Sequence, residues 1–324
     1  MAGQNTSNST AFIEAEQYSK FILENLHDGM LPDGLTRDVS DFGTGTTLNI
    51  KTVGTRTIQD VQEGVAMTFN PIDSGTVTLT ITDYIGDAWS VSDELREDGS
   101  QIDQLSAASA MESTRAIQEN IETKFLIACA NAQTANSQNL VNGFAHRFYG
   151  GGASKQVELM DFAYMKLAFD KANVPVAGRI MFVDPIVEMT LNSLVAVTSI
   201  ANNPMFEGHL TEGFSREHKF IKNIFGFDIY TSNRLALTTG DLTNVTDRDG
   251  GAVTGAAGEV LSIAMCVADD NCKPIMRAWR RQPSVEGWRE SEMREDRYQT
   301  SARFGFGAQR VDTLGVLITS ASAY

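Results

Sequence analysis

Arginine and tryptophan crowd together toward the end of the chain: Trp279 and Trp288 lie among Arg277, Arg280, Arg281, Arg289, Arg294 and Arg297. A set of this kind builds either a groove for nucleic acid or an anchor for a protein interface. Glu286, Glu290, Glu292, Glu295 and Asp296 interleave with it, and mixed charge of that sort favours ionic contact with protein. An opposite bias stands earlier in the chain. Residues 83–103 carry Asp83, Asp87, Asp93, Glu94, Glu97, Asp98 and Asp103 against the single base Arg96. Complementary segments in one chain suit contacts between copies of it. Asp93, Glu94 and Glu97 on one side, and Arg277, Arg280, Arg281, Trp288, Arg289 and Arg294 on the other, are therefore the candidate contact residues.

The types that catalyse or bind metal do not converge. No G-x-x-x-x-G-K-[ST] phosphate loop and no G-x-S-x-G elbow occurs. His27, His146, His209 and His218 are scattered, with no pair at helical metal-ligand spacing. Cys129, Cys266 and Cys272 are an odd set, which fits free thiols in a reducing compartment better than a disulfide framework. Asp247-Arg248-Asp249-Gly250 resembles the start of a calcium loop, but the third oxygen ligand and the distal glutamate are missing, so a polar turn is the reading. Asp93 and Glu94, adjacent in sequence, point apart and give no acid–base pair. No enzyme, cofactor or metal is expected.

The elements that would carry these residues follow from periodicity. Ala11, Ala15, Tyr18, Ile22 and Leu26 make one stripe of an amphipathic helix with Thr10 as its cap. Residues 46–53 and 76–82 alternate as strands, and the stretch between them carries Arg56, Asp60 and Glu63 at the polar tip of a long hairpin. These three join the candidate contacts. A third strand is expected over 88–91. Residues 101–130 contain no glycine or proline, and Ile117, Ile121, Phe125 and Ala128 give the buried face of a helix about 45 Å long. Beyond it the pattern is mixed: a helix over 159–172, a strand over 179–183, and a helix begun by Asp184-Pro185 and reaching Leu194. A helix-to-strand corner is expected at Gly226, a long loop over 240–258, and strands over 260–267, 274–280 and 315–318. The fold class is α+β, and the subunit is extended, leaving surface for partners.

Composition sets the outer bounds. At 324 residues with 42% hydrophobic and 21% charged, the chain has material for a true core. The formal net charge of −15 argues against a surface that grips nucleic acid through its phosphates. The opening MAGQNTSNST lacks the basic and apolar character of a signal sequence, and no run approaches the ~18 apolar residues of a membrane span. A soluble protein made in a cytoplasm, with no membrane partner, is expected.

Several strings resemble a known family. The order of helix, long hairpin, acidic turn, long helix and interwoven α+β half resembles the Hong Kong 97-type major capsid proteins of tailed phages. Leu31-Pro32-Asp33-Gly34-Leu35-Thr36-Arg37, Ile81-Thr82-Asp83-Tyr84-Ile85-Gly86-Asp87 and Asn142-Gly143-Phe144-Ala145-His146-Arg147 are similar to capsid proteins of short-tailed marine phages. The resemblance implies an N-arm over 1–44 and an extended E-loop over 45–82 that lies across a neighbouring subunit. It implies a peripheral domain over 83–158 with its spine helix over 101–130. An axial domain follows over 159–272, and residues 273–324 return to the peripheral domain, with 315–318 joining its sheet. The 240–258 loop is either the part nearest the symmetry axis or a surface excursion. The implied partners are other copies of the chain in pentamers and hexamers, a scaffolding protein, a portal, and double-stranded DNA enclosed without sequence-specific binding. The alternatives are an encapsulin-like compartment, which the long N-arm disfavours, and a soluble hydrolase, for which no nucleophile, base and metal converge.

Overall fold

Alternating threonine and aliphatic residues settle as ribbon with one apolar face. In the computed structural model, which describes residues 34–40, 45–54, 56, 58–64, 66, 67, 69, 71, 72, 74–98, 102–132, 137–193, 220–242 and 244–320, that ribbon is an arm. The stripe expected over 11–26 lies outside these residues. A short β1 (Arg37–Asp38) is followed by β2 (Thr47–Val53) and β3 (Ser74–Thr80). The last two are antiparallel, with Leu48 opposite Leu79 and Ile50 opposite Val77. The strand expected over 88–91 is longer, β4 (Asp83–Ser92). Gly86 does not interrupt it, because the glycine lies flush against the Thr300 carbonyl, where a Cβ would come within 2.8 Å.

The acidic turn after β4 coils into α1 (Asp93–Asp98), and the Ser92 hydroxyl caps it by accepting from the Leu95 N–H at 3.3 Å. The long helix follows as α2 (Ile102–Ala132). Ile117, Ile121 and Phe125 are buried as expected, whereas Ala128 is only half-buried. Leu126, Cys129 and Ala130 complete the inward face. Then come β5 (Leu140–Val141), β6 (Phe144–Ala145), β7 (Arg147–Tyr149), α3 (Leu159–Lys171), β8 (Arg179–Val183) and α4 (Pro185–Ser193). Asp184 caps α4 through the Ile186 N–H at 3.0 Å, with Pro185 in the first helical position, where its missing N–H costs nothing. Leu194, the expected end of that helix, lies outside the described residues.

The expected corner at Gly226 is instead a hairpin between β9 (Phe220–Ile224) and β10 (Phe227–Thr231). Phe225 and Gly226 both take positive φ, 50° and 90°, the geometry of a two-residue turn whose twist matches its strands. After β11 (Val260–Cys266), the short strand expected over 274–280 extends as β12 (Ile275–Glu290) and folds back as β13 (Glu295–Ala308), a strand that residue periodicity does not signal. The chain ends its described course in β14 (Leu314–Thr319).

Two sheets organise these strands. One has the order β1-β12-β13-β4, the other β7-β14-β11-β8-β10-β9. Of the strands in the range 83–158, β14 joins β7, with which it pairs parallel, and not β4; on its other side it pairs antiparallel with β11. The six-stranded sheet is covered on both sides. Phe162, Met165 and Phe169 of α3 and Val187 and Leu191 of α4 pack on Phe148, Met181, Val183 and Ala264. Phe125, Leu126 and Cys129 of α2 pack among Ile180, Phe182, Ile263 and Met265. The other half of α2 covers the four-stranded sheet, with Ala110, Ile117 and Ile121 against Ala302 and Phe304. One helix thus serves two cores.

Candidate intersubunit surface

The arm is held at its root and free at its end. Leu79 and Ile81 are buried with Met276 and Ala278, on the face of the four-stranded sheet opposite α2. Gly305 and Gly307 make that approach possible: a Cβ at Gly305 would meet the Thr80 carbonyl at 2.6 Å, and one at Gly307 would meet Leu79 Cδ1 at 2.6 Å. Farther out, Ile58 is 95% exposed and Phe69 98% exposed, with Val53, Val61, Met67 and Ile72 also outside any core. The candidate residues Arg56, Asp60 and Glu63 are exposed in the same stretch.

The acidic and basic candidates meet within one chain. β4 pairs along its length with β13, and that pairing brings α1 against the β12–β13 turn. Arg289 donates to Asp93 at 2.6 Å and to Asp296 at 3.3 Å, while Arg96 donates to Asp296 at 2.7 Å. Hydrogen bonding to Asp93 holds the Arg289 proton more firmly than usual, with Asp296 adding to the effect. Arg281 pairs with Glu286, and Arg297 reaches Glu295 at 2.8 Å. Of the candidate contacts, Asp93, Arg281 and Arg289 thus have ion-pair partners inside the subunit. Glu94 and Glu97 on α1 and Arg294 in the turn remain exposed, as does Trp288. Arg277 and Arg280 are half-buried, and Arg277 stands 5.4 Å from the Trp279 ring centroid, making Trp279 part of the fold's own packing.

Residues 75–319, from β3 to β14, match the family described as phage capsid protein. The chain belongs to the phage capsid protein family. Solved structures agree on the fold. The capsid of cyanophage P-SCSP1u superposes with a TM-score of 0.64 at 15% identity, over 91% of this chain and 89% of that one. The mature capsid of bacteriophage PhiM1 gives 0.63 at 15% identity, over 91% and 88%. A Mycobacterium phage Che8 chain gives 0.58 at 18% identity, over 85% of each. A search of curated sequences finds no match. The fold is the α+β Hong Kong 97 type, and the capsid chain is a structural component of a virion shell.

The capsid chain holds a second polar cluster, brought together by contacts distant in sequence. Asp161, fully buried at the start of α3, accepts from the Glu158 N–H at 2.8 Å, the Gly151 N–H at 3.2 Å and Arg248 Nη1 at 3.0 Å. Arg248 also reaches Glu158 at 2.7 Å. Burial pushes the Asp161 carboxyl upward, and these donors oppose it. Nearby, Lys155 pairs with the buried Glu259. Together they fasten the loop over 240–258 against α3 and the outer edge of β7, where the Tyr149 N–H donates to the Thr246 carbonyl at 3.0 Å. Asp247 is a turn residue that accepts from the N–H groups of Asp249 and Gly251. The available signal was Asp161 itself, a carboxylate next to Phe162 on a helix otherwise apolar on its inner side.

Among the described residues no cluster of three or more His, Cys, Asp and Glu could hold a metal ion. No described helix is long and apolar enough to cross a membrane. Cys129 and Cys266 are buried free thiols, and burial raises the pKa of both.

Proposed function

We propose that copies of this chain assemble as pentamers and hexamers into an icosahedral shell enclosing a double-stranded DNA genome without reading its sequence. The role is mechanical rather than enzymatic. A scaffolding protein and a portal are the partners of assembly, which takes place in the host cytoplasm. The arm is the E-loop, residues 1–44 the N-arm, and α2 the spine helix. The four-stranded sheet belongs to the peripheral domain. The six-stranded sheet, with β7 and β14 included, belongs to the axial domain.

One observation supports this most strongly. The two-stranded ribbon packs on the sheet at its root, while Ile58 and Phe69 beyond its strands are almost wholly exposed, apolar surface that is stabilised when covered. A neighbour provides the cover. Expression with and without a co-expressed scaffold, followed by size-exclusion chromatography and negative-stain microscopy, tests the reading. Rings or shells are expected; a stable monomer under every condition overturns it.

A further inference from the structure

The chain crosses between its two sheets at residues 267–274, where β11 of the six-stranded sheet gives way to β12 of the four-stranded one. A cysteine stands toward each end of this crossing. Cys266, the last residue of β11, is fully buried, with its thiol 3.8 Å from the Pro175 carbonyl and 3.7 Å from that of Ala177. Cys272 is half-buried and packs against the same apolar cluster that holds Cys266. The chain turns back between them, with the N–H groups of Cys272 and Lys273 donating to the Asp269 carbonyl at 2.9 and 3.2 Å. Burial pushes the Cys266 thiol up, and Cys272 and Asp269 add to this, while the Ala268 N–H and Arg179 oppose it. Cys129 is buried in a different cluster. The return crossing leans on the first one: the N–H groups of Gln309 and Arg310 donate to the Pro274 carbonyl at 2.7 and 3.2 Å.

We propose that Cys266 and Cys272 form a redox pair whose oxidation to a disulfide staples the crossing between the two sheets. In a reducing cytoplasm both stay thiols; outside a cell, a peroxide is the oxidant. That timing rests on the reading that copies assemble into a particle, whereas the pairing does not. Exposure sets the order of events. Peroxide takes the more accessible Cys272 to a sulfenic acid and releases one water. The Cys266 sulfur then attacks the Cys272 sulfur: the S–S bond forms, the S–O bond breaks, and the hydroxyl leaves with the Cys266 proton as a second water. Two electrons pass from the thiols to the peroxide. Arg179, fully buried and with Nη1 lacking a hydrogen-bond partner among the described residues, favours the Cys266 thiolate at the moment of attack. A disulfide requires Cα atoms within about 7 Å, and the Asp269 turn draws the two ends of the crossing toward each other. The bond removes freedom from the segment through which one sheet shifts against the other.

Hydrogen peroxide treatment of the folded chain, followed by denaturation in an alkylating agent, tests the pair. The sequence has three cysteines, so the thiol count should fall from three to one. Trypsin cuts after Arg248 and Arg277 but not at Lys273-Pro274, which leaves both cysteines in the peptide 249–277. That peptide should gain two hydrogen atoms on reduction with a dithiol. In the oxidised chain, hydrogen exchange at the Gln309 and Arg310 amides should slow about tenfold. Cys272→Ser should show neither change, and Cys272→Ala replaces it if the serine variant does not fold. Retention of all three thiols, a disulfide between chains, or over-oxidation of Cys272 beside a free Cys266 overturns the pair. So does a disulfide that persists in the Cys272 variant. A disulfide with unchanged exchange at Gln309 and Arg310 overturns the staple. Failure of the wild-type chain to assemble refutes the proposed function and leaves these thiol readings as they stand.

Discussion

At the scale of single residues, the carboxylate of Asp161 and the guanidinium of Arg248 pin the polar side of a loop whose Leu242 and Val245 are buried in a core. Removing one partner of a buried ion pair strands the other's charge, which typically costs about 3–5 kcal/mol. Arg248 is not fully shielded, at 16% side-chain exposure, so the lower end applies. Arg248→Ala should destabilise the free subunit by about 3 kcal/mol, measured by urea denaturation. His146 gives a pH dependence. It is buried, stacked 5.6 Å from Phe169, with Nδ1 against the Phe144 carbonyl and Nε2 without a partner among the described residues. Burial holds its pKa below the ordinary 6.5. The unfolded chain therefore takes up a proton that the folded chain refuses, and stability falls as pH drops below about 6.5. His146→Phe should flatten the difference in melting temperature between pH 7.5 and pH 5.5; an unchanged slope would refute the assignment.

At the scale of elements, the arm root depends on two missing side chains. Gly305→Ala places a methyl where the Thr80 carbonyl already lies. The expected result is an arm that lifts from the sheet, read as faster tryptic cleavage after Lys51 and Arg56 in the free subunit. This element also shows what sequence conveys and what it hides. Residues 76–80 alternate cleanly because one face packs and the other meets solvent, so β3 was legible, as were β2, α2 and β8. β12 and β13 were not. Pro283 and the register shifts on either side of Arg281 break the alternation of β12, and in β13 the glycines that seat the arm look like loop signals. The charged residues of both strands suggest a partner when taken as sequence, and in the fold many of them answer one another. Asp93, Arg289 and Asp296 meet only because β4 lies beside β13, a long-range pairing that composition does not reveal.

At the scale of the whole molecule, the exposed arm tip stands apart from the residues that build the cores. Ile58 and Phe69 contribute nothing to either core. Ile58→Ser with Phe69→Ser should leave the stability of the free subunit within about 0.5 kcal/mol, while the assembled fraction seen by light scattering falls sharply. A matching loss in both measurements would place these side chains in the fold instead. The family of the capsid chain was legible in short strings such as residues 81–87, whereas the pairing of β14 with β11 is a long-range contact that local pattern does not carry. α2 carries a consequence of its own. Its residues from Ala110 to Ile121 belong to one core and those from Phe125 to Ala130 to others, with no glycine or proline between to act as a joint. Close-packed interiors transmit displacement rather than absorb it. A push on the four-stranded sheet is therefore delivered to the six-stranded one as leverage, and the tile keeps its shape under load. Differences in curvature between one seat on a closed surface and the next must then be taken up at the seams.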